Sequence, residues 1–151
     1  MAGLGGPSDQ RGPVGLNVTN AANTTHTFEI FVVNLPANLT IKNVEKGTYT
    51  TDIGQAGLST TKLNSYNNTV TAVEPPDTAR IHGRHILKTG ETNRSNISNF
   101  RDNSAVVVVV THNSTVASLV TSQCDGDLVY LSVTMRHYGS DSAYDCDEGA
   151  F

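Results

Sequence analysis

The sequence predicts an all-β domain: a single β-sandwich of about 8 to 9 short strands with a flexible N-terminal arm. The 151 residues include 19 Thr, 14 Asn and 12 Ser, and Thr favours strands whereas Asn and Ser favour turns. Short apolar stretches alternate with turn signals, and no long segment has helical periodicity. We therefore expect an immunoglobulin-like, cupredoxin-like or jelly-roll sandwich.

The first half of the chain begins with a segment rich in Gly and Pro, residues 1–13, which we expect to be the flexible arm. Alternating apolar residues then predict a first strand at Val14–Val18 and a central strand at His26–Asn34, which Pro36 ends. Shorter strands are predicted near residues 39–44, 49–53, 58–63 and 69–73.

The segment Thr78–Asn103 is the hardest to interpret, because Gly83 and Gly90 interrupt its apolar residues. We expect one strand near Ile86, followed by a long loop. A loop of that length in a compact domain usually serves function or contact.

The last third has the strongest strand patterns. Ala105–Thr111 is a continuous apolar run, typical of a strand buried on both faces, and Val116–Thr121 is expected to return as a hairpin. The final strand alternates over Leu128–Met135, with Val129, Leu131, Val133 and Met135 predicted to face the core. We expect the folded domain to cover residues 14–138 and a polar, acidic tail to cover 139–151.

Charge argues against a nucleic-acid partner, because the net charge is −4 and the ten basic residues are dispersed. The densest group, Arg80, Arg84 and Lys88, is expected to lie on a solvated loop. The longest apolar run, Ala105–Val110, is far shorter than the roughly 18 residues of a membrane span. The N-terminus has no signal-peptide pattern, so we expect a chain that stays in the cell, leaves by assembly and lysis, or has lost its signal.

Cys124 and Cys146 are the only cysteines and flank the last predicted strand. We predict a disulfide between them, with two free thiols or a metal pair as alternatives. A structural zinc site needs four ligands, which two cysteines do not supply. A blue-copper site built from Cys124, Met135 and His137 is disfavoured, because Met135 precedes the histidine and has the spacing of a core residue.

Catalytic and cofactor motifs are not found, so we expect no enzyme activity, no metal and no cofactor. The pair His82 and His85 has the form H-x-x-H, but it lies in a Gly-containing segment without a predictable geometry. His26 and His112 are expected to be exposed turn residues. No nucleophile motif, P-loop or dinucleotide fingerprint is present.

Seven N-x-[ST] sequons occur, against about three expected from the composition. They suggest a surface exposed to a glycosylating compartment, although abundant Asn and Thr in polar turns would give the same pattern. Asn17 is predicted to lie in a strand and is the weakest acceptor. The glycosylation candidates are therefore Asn23, Asn38, Asn67, Asn93, Asn96 and Asn113.

Two stretches resemble haloarchaeal secreted lipoproteins and envelope proteins. Asn17–Leu35, with V-T-N, a polar turn and H-T-F-E-I, resembles their opening hairpin, and Val106–Cys124 followed by Leu128–Met135 resembles their end. The resemblance covers about a third of the chain and implies an immunoglobulin-like or cupredoxin-like sandwich at an archaeal surface. The chain departs from those lipoproteins by lacking a signal and a lipidated cysteine, and it is less acidic than most halophilic proteins.

A virion protein of an archaeal virus would need no signal, since it leaves the cell by assembly. We therefore expect a structural protein of a virion or surface assembly, located in the virion, whose partners are copies of itself and other structural proteins. The alternative is an extracellular binding module, anchored to or secreted from an archaeal cell.

Overall fold

Alternating apolar residues and short polar turns give the chain its strands. The computed structural model describes residues 13–53, 57–63, 67–101 and 103–147, and these contain twelve strands and no helix. The all-β prediction is confirmed, with more strands than expected. The strands are β1 (Val14–Asn20), β2 (His26–Asn34), β3 (Ala37–Asn43), β4 (Gly47–Ile53), β5 (Gly57–Lys62), β6 (Val70–Glu74), β7 (Arg80–Leu87), β8 (Thr92–Ile97), β9 (Ser104–His112), β10 (Thr115–Gln123), β11 (Asp127–Arg136) and β12 (Gly139–Asp147).

The strands form three sheets. A four-stranded sheet has the order β12-β11-β1-β8, a five-stranded sheet β5-β10-β9-β2-β7, and a three-stranded sheet β4-β3-β6. Strand β1 runs parallel to β11, and the other pairs are antiparallel. The predicted arm lies outside the described residues except for Pro13, as does the end of the chain after Asp147.

Two hydrophobic cores show how the sheets are layered. In the first, Leu16 and Leu131 of the four-stranded sheet pack with Phe28 and Val108 of the five-stranded sheet. In the second, the opposite face of the five-stranded sheet packs against Leu39 and Ile41 of the three-stranded sheet, among others. The five-stranded sheet is therefore the middle layer, and the sandwich carries an additional outer sheet.

Strand β9 explains the continuous valine run. Val106, Val108 and Val110 belong to the first core, while Val107 and Val109 belong to the second. Successive side chains of a strand point to opposite faces, and here each face is covered by a neighbouring sheet. The predicted burial of this strand on both faces agrees with the structure.

The segment expected to hold a long loop instead forms two strands, β7 and β8, joined by the short turn 88–91. The two do not pair with each other: β7 pairs with β2 and β8 with β1, so the turn passes from the middle sheet to the four-stranded sheet. Both are edge strands, and one face of each is largely exposed. Residues on an exposed face need not be apolar, so the sequence shows no apolar alternation here.

The structure also differs from the expected C-terminal boundary. Residues 139–147 form β12, which pairs with β11 from Arg136 to Asp127, so the sheet continues through most of the predicted tail. Its polar sequence follows from its edge position. A bulge between Leu128 and Tyr130 shifts the alternation, so that Leu128 is buried and Val129 is 40% exposed, contrary to the predicted core position of Val129.

The strand directions give the molecule two distinct ends. Strand β1 starts and β12 finishes at one end, which we call the terminal end. The turns 21–25, 88–91, 113–114 and 137–138 lie at the other, which we call the turn end. In the described ranges, no helix is long and apolar enough to cross a membrane.

Candidate functional site

The two cysteines form a disulfide. Cys124 and Cys146 have a Cα–Cα distance of 5.8 Å, and their bond ties the segment before β11 to the end of β12 at the terminal end. The alternatives of free thiols and of a metal pair are thereby excluded. The blue-copper interpretation fails as well, because a disulfide sulfur is not a thiolate ligand, and Met135 is a core residue with 5% exposure.

The histidines of the H-x-x-H pattern, His82 and His85, both lie on β7. His82 reaches across to β8, where Nε2 lies 3.0 Å from Oγ of Ser95. The pKa of His82 is lowered by burial and, to a smaller extent, by the nearby charges of Arg80 and His85. The described residues contain no group of three or more His, Cys, Asp or Glu side chains that could hold a metal ion.

The glycosylation candidates fall into two structural classes. Asn23, Asn67 and Asn113 are exposed in turns, and Asn113 has the left-handed backbone conformation that turns favour, with φ of 50°. The remaining three lie in strands: Asn38 and Asn96 are exposed, and Asn93 is half-buried. Their occupancy remains a prediction. The amide of Asn17 donates to the Tyr130 hydroxyl at 2.8 Å, within the sheet.

One side of the molecule carries a cluster of positive charge. Strands β7 and β8 each pair on one side only within the described part of the chain, and the His82–Ser95 hydrogen bond links them. We call this side the basic edge. Segment 80–94 contains one carboxylate, Glu91, and four exposed cations: Arg80, Arg84, Lys88 and Arg94. Arg84 is paired with Glu29 of the adjacent strand β2, with 3.7 Å between Nε and Oε2.

The basic edge also exposes apolar surface. Ile81 is 71% and Ile86 is 61% exposed. They stand opposite Phe31 and Thr27 of β2, so they share the face of the middle sheet that carries the three-stranded sheet. The three-stranded sheet does not reach them. Two exposed isoleucines on the same face of an edge strand are a ready contact surface for another protein.

The opposite side of the molecule is negative. Strand β12 is the other edge of the four-stranded sheet, and Asp141, Asp145 and Asp147 are exposed on it. Hydrogen bonds from Arg136 and Tyr138 lower the pKa of Asp141 and keep it ionised. The half-exposed Val129 lies on the adjacent strand β11. We call this side the acidic edge.

Sequence reasoning found the basic residues but interpreted them as a solvated loop. Nothing local shows that β7 and β8 are edges, because their partners β2 and β1 lie more than 45 residues earlier in the chain. The acidic residues of β12 were assigned to a tail for the same reason. The one signal in the sequence was the polar alternation of residues 139–147, which suits a strand as well as a tail.

Comparisons with known proteins identify no relatives. No protein-family model matches the sequence, and no curated protein matches it. A structure of a disulfide-locked mutant of intermedilysin with human CD59 matches 90% of this chain, at 6% identity and a TM-score of 0.35. The match spans 24% of that chain, and a likeness this low carries no argument about the present protein.

Proposed function

We propose that the protein is a structural component of a virion or surface assembly, such as a capsid, decoration, turret, tail or fibre protein. It would act through protein–protein contacts and would perform no catalytic step. The observation that carries the proposal is the presence of opposite charges on the two edges of one molecule. The resemblance to archaeal envelope proteins and the excess of sequons support a glycosylated protein of an archaeal virus.

The charges suggest how copies would associate. The basic edge of one copy faces the acidic edge of the next, with Ile81 and Ile86 against the half-exposed Val129. Such a contact joins two different surfaces, so a bound pair of copies still offers one free basic edge and one free acidic edge. Repetition of a contact of this type gives a closed ring or an open filament.

Apolar contact would supply most of the affinity in this arrangement. An exposed ion pair contributes about 1 kcal/mol or less and weakens with salt. Complementary charge mainly orients the partners and speeds their encounter. We therefore expect association to weaken, without vanishing, when the salt concentration rises.

Charge reversal tests the proposal sharply. Two double variants, Arg84→Glu with Arg94→Glu and Asp145→Lys with Asp147→Lys, each reverse the charge of one edge. Either variant alone should remain monomeric in sedimentation velocity at concentrations where the original chain associates. An equal mixture should associate again, because each variant keeps one native edge that fits the native edge of the other.

A matched apolar pair completes the experiment. Ile81→Glu should abolish association. Val44→Glu, in the turn between β3 and β4, should leave association intact, although Val44 is similarly exposed at 67%. The proposal is overturned if the original chain is monomeric at all concentrations, alone and with its native co-assembly proteins. Variants that associate as well as the original chain would also overturn it.

The second candidate function is an extracellular binding module, anchored to or secreted from an archaeal cell. The arrangement of features at the two ends of the molecule favours this function. Both ends of the described chain and the disulfide lie at the terminal end, and the exposed turn sequons Asn23 and Asn113 lie at the turn end. Such a module would present its turn end outward. Mass spectrometry of the native protein would distinguish the candidates, because a processed N-terminus supports the module and co-purification with virion proteins supports the assembly.

A further inference from the structure

A cleft of about 190 Å³ opens between the three-stranded sheet and the middle sheet. Residues of β3 and β4 form one wall, and residues of β10, β5 and the position just after β5 form the other. In the described part of the chain, β4 and β5 are the edge strands of their sheets, so no further strand closes the gap between the two sheets here. The cleft is therefore open to solvent on this side of the molecule.

The floor of the cleft is aliphatic and belongs to the second core. Five side chains, each at most 7% exposed, form it: Leu39, Ile41, Ile53, Leu63 and Leu119. They come from both walls, so the two sheets pack together below the cleft. A cavity of about 150 Å³ in another protein admits a benzene ring. The present volume of about 190 Å³ therefore suits a single six-membered ring.

Hydroxyl groups replace aliphatic side chains toward the mouth of the cleft. Side chains two residues apart on a strand share a face, so Thr51 lies on the face of β4 that carries the core residue Ile53. Thr61 lies on the corresponding face of β5, and the paired residues Ser59 and Thr121 add two more hydroxyls. Within the described residues, none of these four hydroxyls has a hydrogen-bond partner, so each can bind a ligand.

An aromatic ring and one carboxylate complete the mouth. Tyr49 is 41% exposed and shares the face of Thr51, so its ring offers a flat apolar surface beside the hydroxyls. Asp52 carries the only charge among the described residues that line the cleft. A negative charge without a nearby cation repels anions. The lining therefore suits a neutral ligand with both apolar and hydroxyl-bearing surfaces.

We propose that this cleft binds a neutral sugar ring, free or at the end of a glycan chain. The C–H face of a pyranose packs on Tyr49 and the aliphatic floor, while its hydroxyl groups exchange hydrogen bonds with the hydroxyls of Thr51 and Thr61. An apolar lining with a few placed polar groups is the usual composition of a small-molecule site. The cleft uses neither the basic nor the acidic edge, so this inference goes beyond the proposed assembly and is independent of it.

Chemical-shift mapping by NMR tests the inference directly. Glucose, galactose, mannose and their methyl glycosides are titrated separately into the isotope-labelled full chain. We expect saturable shifts of the backbone amides of Tyr49, Thr51, Ser59 and Thr61, with a dissociation constant of about 1 mM for the best sugar, because so small a ligand makes few contacts. Tighter binding of the free sugar than of its methyl glycoside indicates a single sugar, and the reverse order indicates the end of a chain.

Two related molecules test the chemistry of the site. Glucuronate has the ring of glucose with a carboxylate added, and it should bind several-fold more weakly because Asp52 repels it. Cyclohexanol keeps a six-membered ring but has one hydroxyl, so it should also bind several-fold more weakly because it makes fewer hydrogen bonds with the threonine hydroxyls. Binding of either molecule as tightly as the best sugar would contradict the proposed ligand class.

Variants test whether binding occurs in the cleft. Thr51→Val removes a hydroxyl but keeps the shape of the side chain and should weaken binding several-fold, whereas Thr50→Val, on the opposite face of the same strand, should not. Tyr49→Ala should also weaken binding several-fold, whereas Tyr138→Ala at the turn end should not. All four positions are exposed, so unchanged urea midpoints will show that each variant is folded.

The inference is overturned if no sugar shifts the amides of the cleft. It is equally overturned if each control variant weakens binding as much as its matched partner. Neither result bears on the proposed assembly, which uses other surfaces.

Discussion

His26 shows how much a single residue's role depends on tertiary context. It follows a polar turn, and the sequence therefore predicted an exposed residue, yet its side chain is only 5% exposed. The reason is a neighbouring strand: Thr27 pairs with Thr111, which places His112 beside His26 in space. A pairing across more than 80 residues leaves no local trace in the sequence.

The first residue-scale prediction concerns the dependence of stability on pH. Because the folded pKa of His26 and of His82 lies below the ordinary value of 6.5, the unfolded chain binds more protons near that pH. Their contribution is complete above pH 6.5, and it is lost as the pH falls through the lowered folded values. Urea unfolding from pH 7.5 to 5.5 should show the loss, before carboxylates titrate.

Substitution assigns that loss to particular rings. The variant with His26→Gln and His82→Gln together should have a flatter profile of unfolding free energy against pH than the original chain. His137→Gln is the matched control, since this histidine is exposed, and its profile should keep the original slope. An unchanged slope in the double variant would contradict the argument.

The second residue-scale prediction concerns the disulfide. It closes a sequence separation of 22 residues, and the chain-entropy model gives such a loop roughly 3 kcal/mol of stabilisation. Cys124→Ser with Cys146→Ser should lower the free energy of unfolding by about that amount in urea. Reductant should lower the stability of the original chain but not of the variant, and equal midpoints for all samples would show that the bond contributes nothing.

At the scale of the element, the predictable strands are those with covered faces. Strand β2 was predicted with the observed bounds, and β9 was identified as buried on both faces, because an unbroken apolar run of strand length needs cover on each face. Of the edge strands, β7 was only partly recognised, β8 was assigned to a loop and β12 was assigned to a tail. Their exposed faces need no apolar residues, so periodicity could not reveal them. The Val129 error has a different cause, since a bulge changes the phase of a strand without a sequence signal.

The layering of the sheets leads to an element-scale prediction. Leu131→Ala opens a cavity in the first core and Leu39→Ala opens one in the second, and both leucines are essentially unexposed. Each change should cost about 2–5 kcal/mol in urea unfolding. Val44→Ala, on an exposed site beside β3, should change stability by about 0.5 kcal/mol or less.

The comparison of the two core variants tests the third sheet. If Leu131→Ala is costly and Leu39→Ala is not, the three-stranded sheet does not unfold together with the other two layers. A single cooperative transition with a large loss in both variants would establish one folding unit.

At the scale of the whole molecule, the three-sheet arrangement was beyond prediction. Strand β1 pairs with β11 and β8, and β2 with β9 and β7, so three layers arise from long-range pairings. Composition correctly indicated a β-sandwich, but the number and order of sheets depend on which edges meet. The proposed surfaces have the same origin: neither charged edge exists until the chain is folded.

Strand β9 lies at the centre of the middle sheet, and its sequence is prone to aggregate while the chain is unfolded. Five consecutive valines, Val106–Val110, carry no charge and no proline, which is the pattern of a segment that stacks into cross-β fibrils. In the native state both edges of β9 are paired, with β2 and β10, and both faces are covered. In a chain still emerging from the ribosome, β2 is available early but β10 is not, so the valines are exposed until the following hairpin is made. We therefore expect closure of that hairpin to protect the valine run from cross-β association.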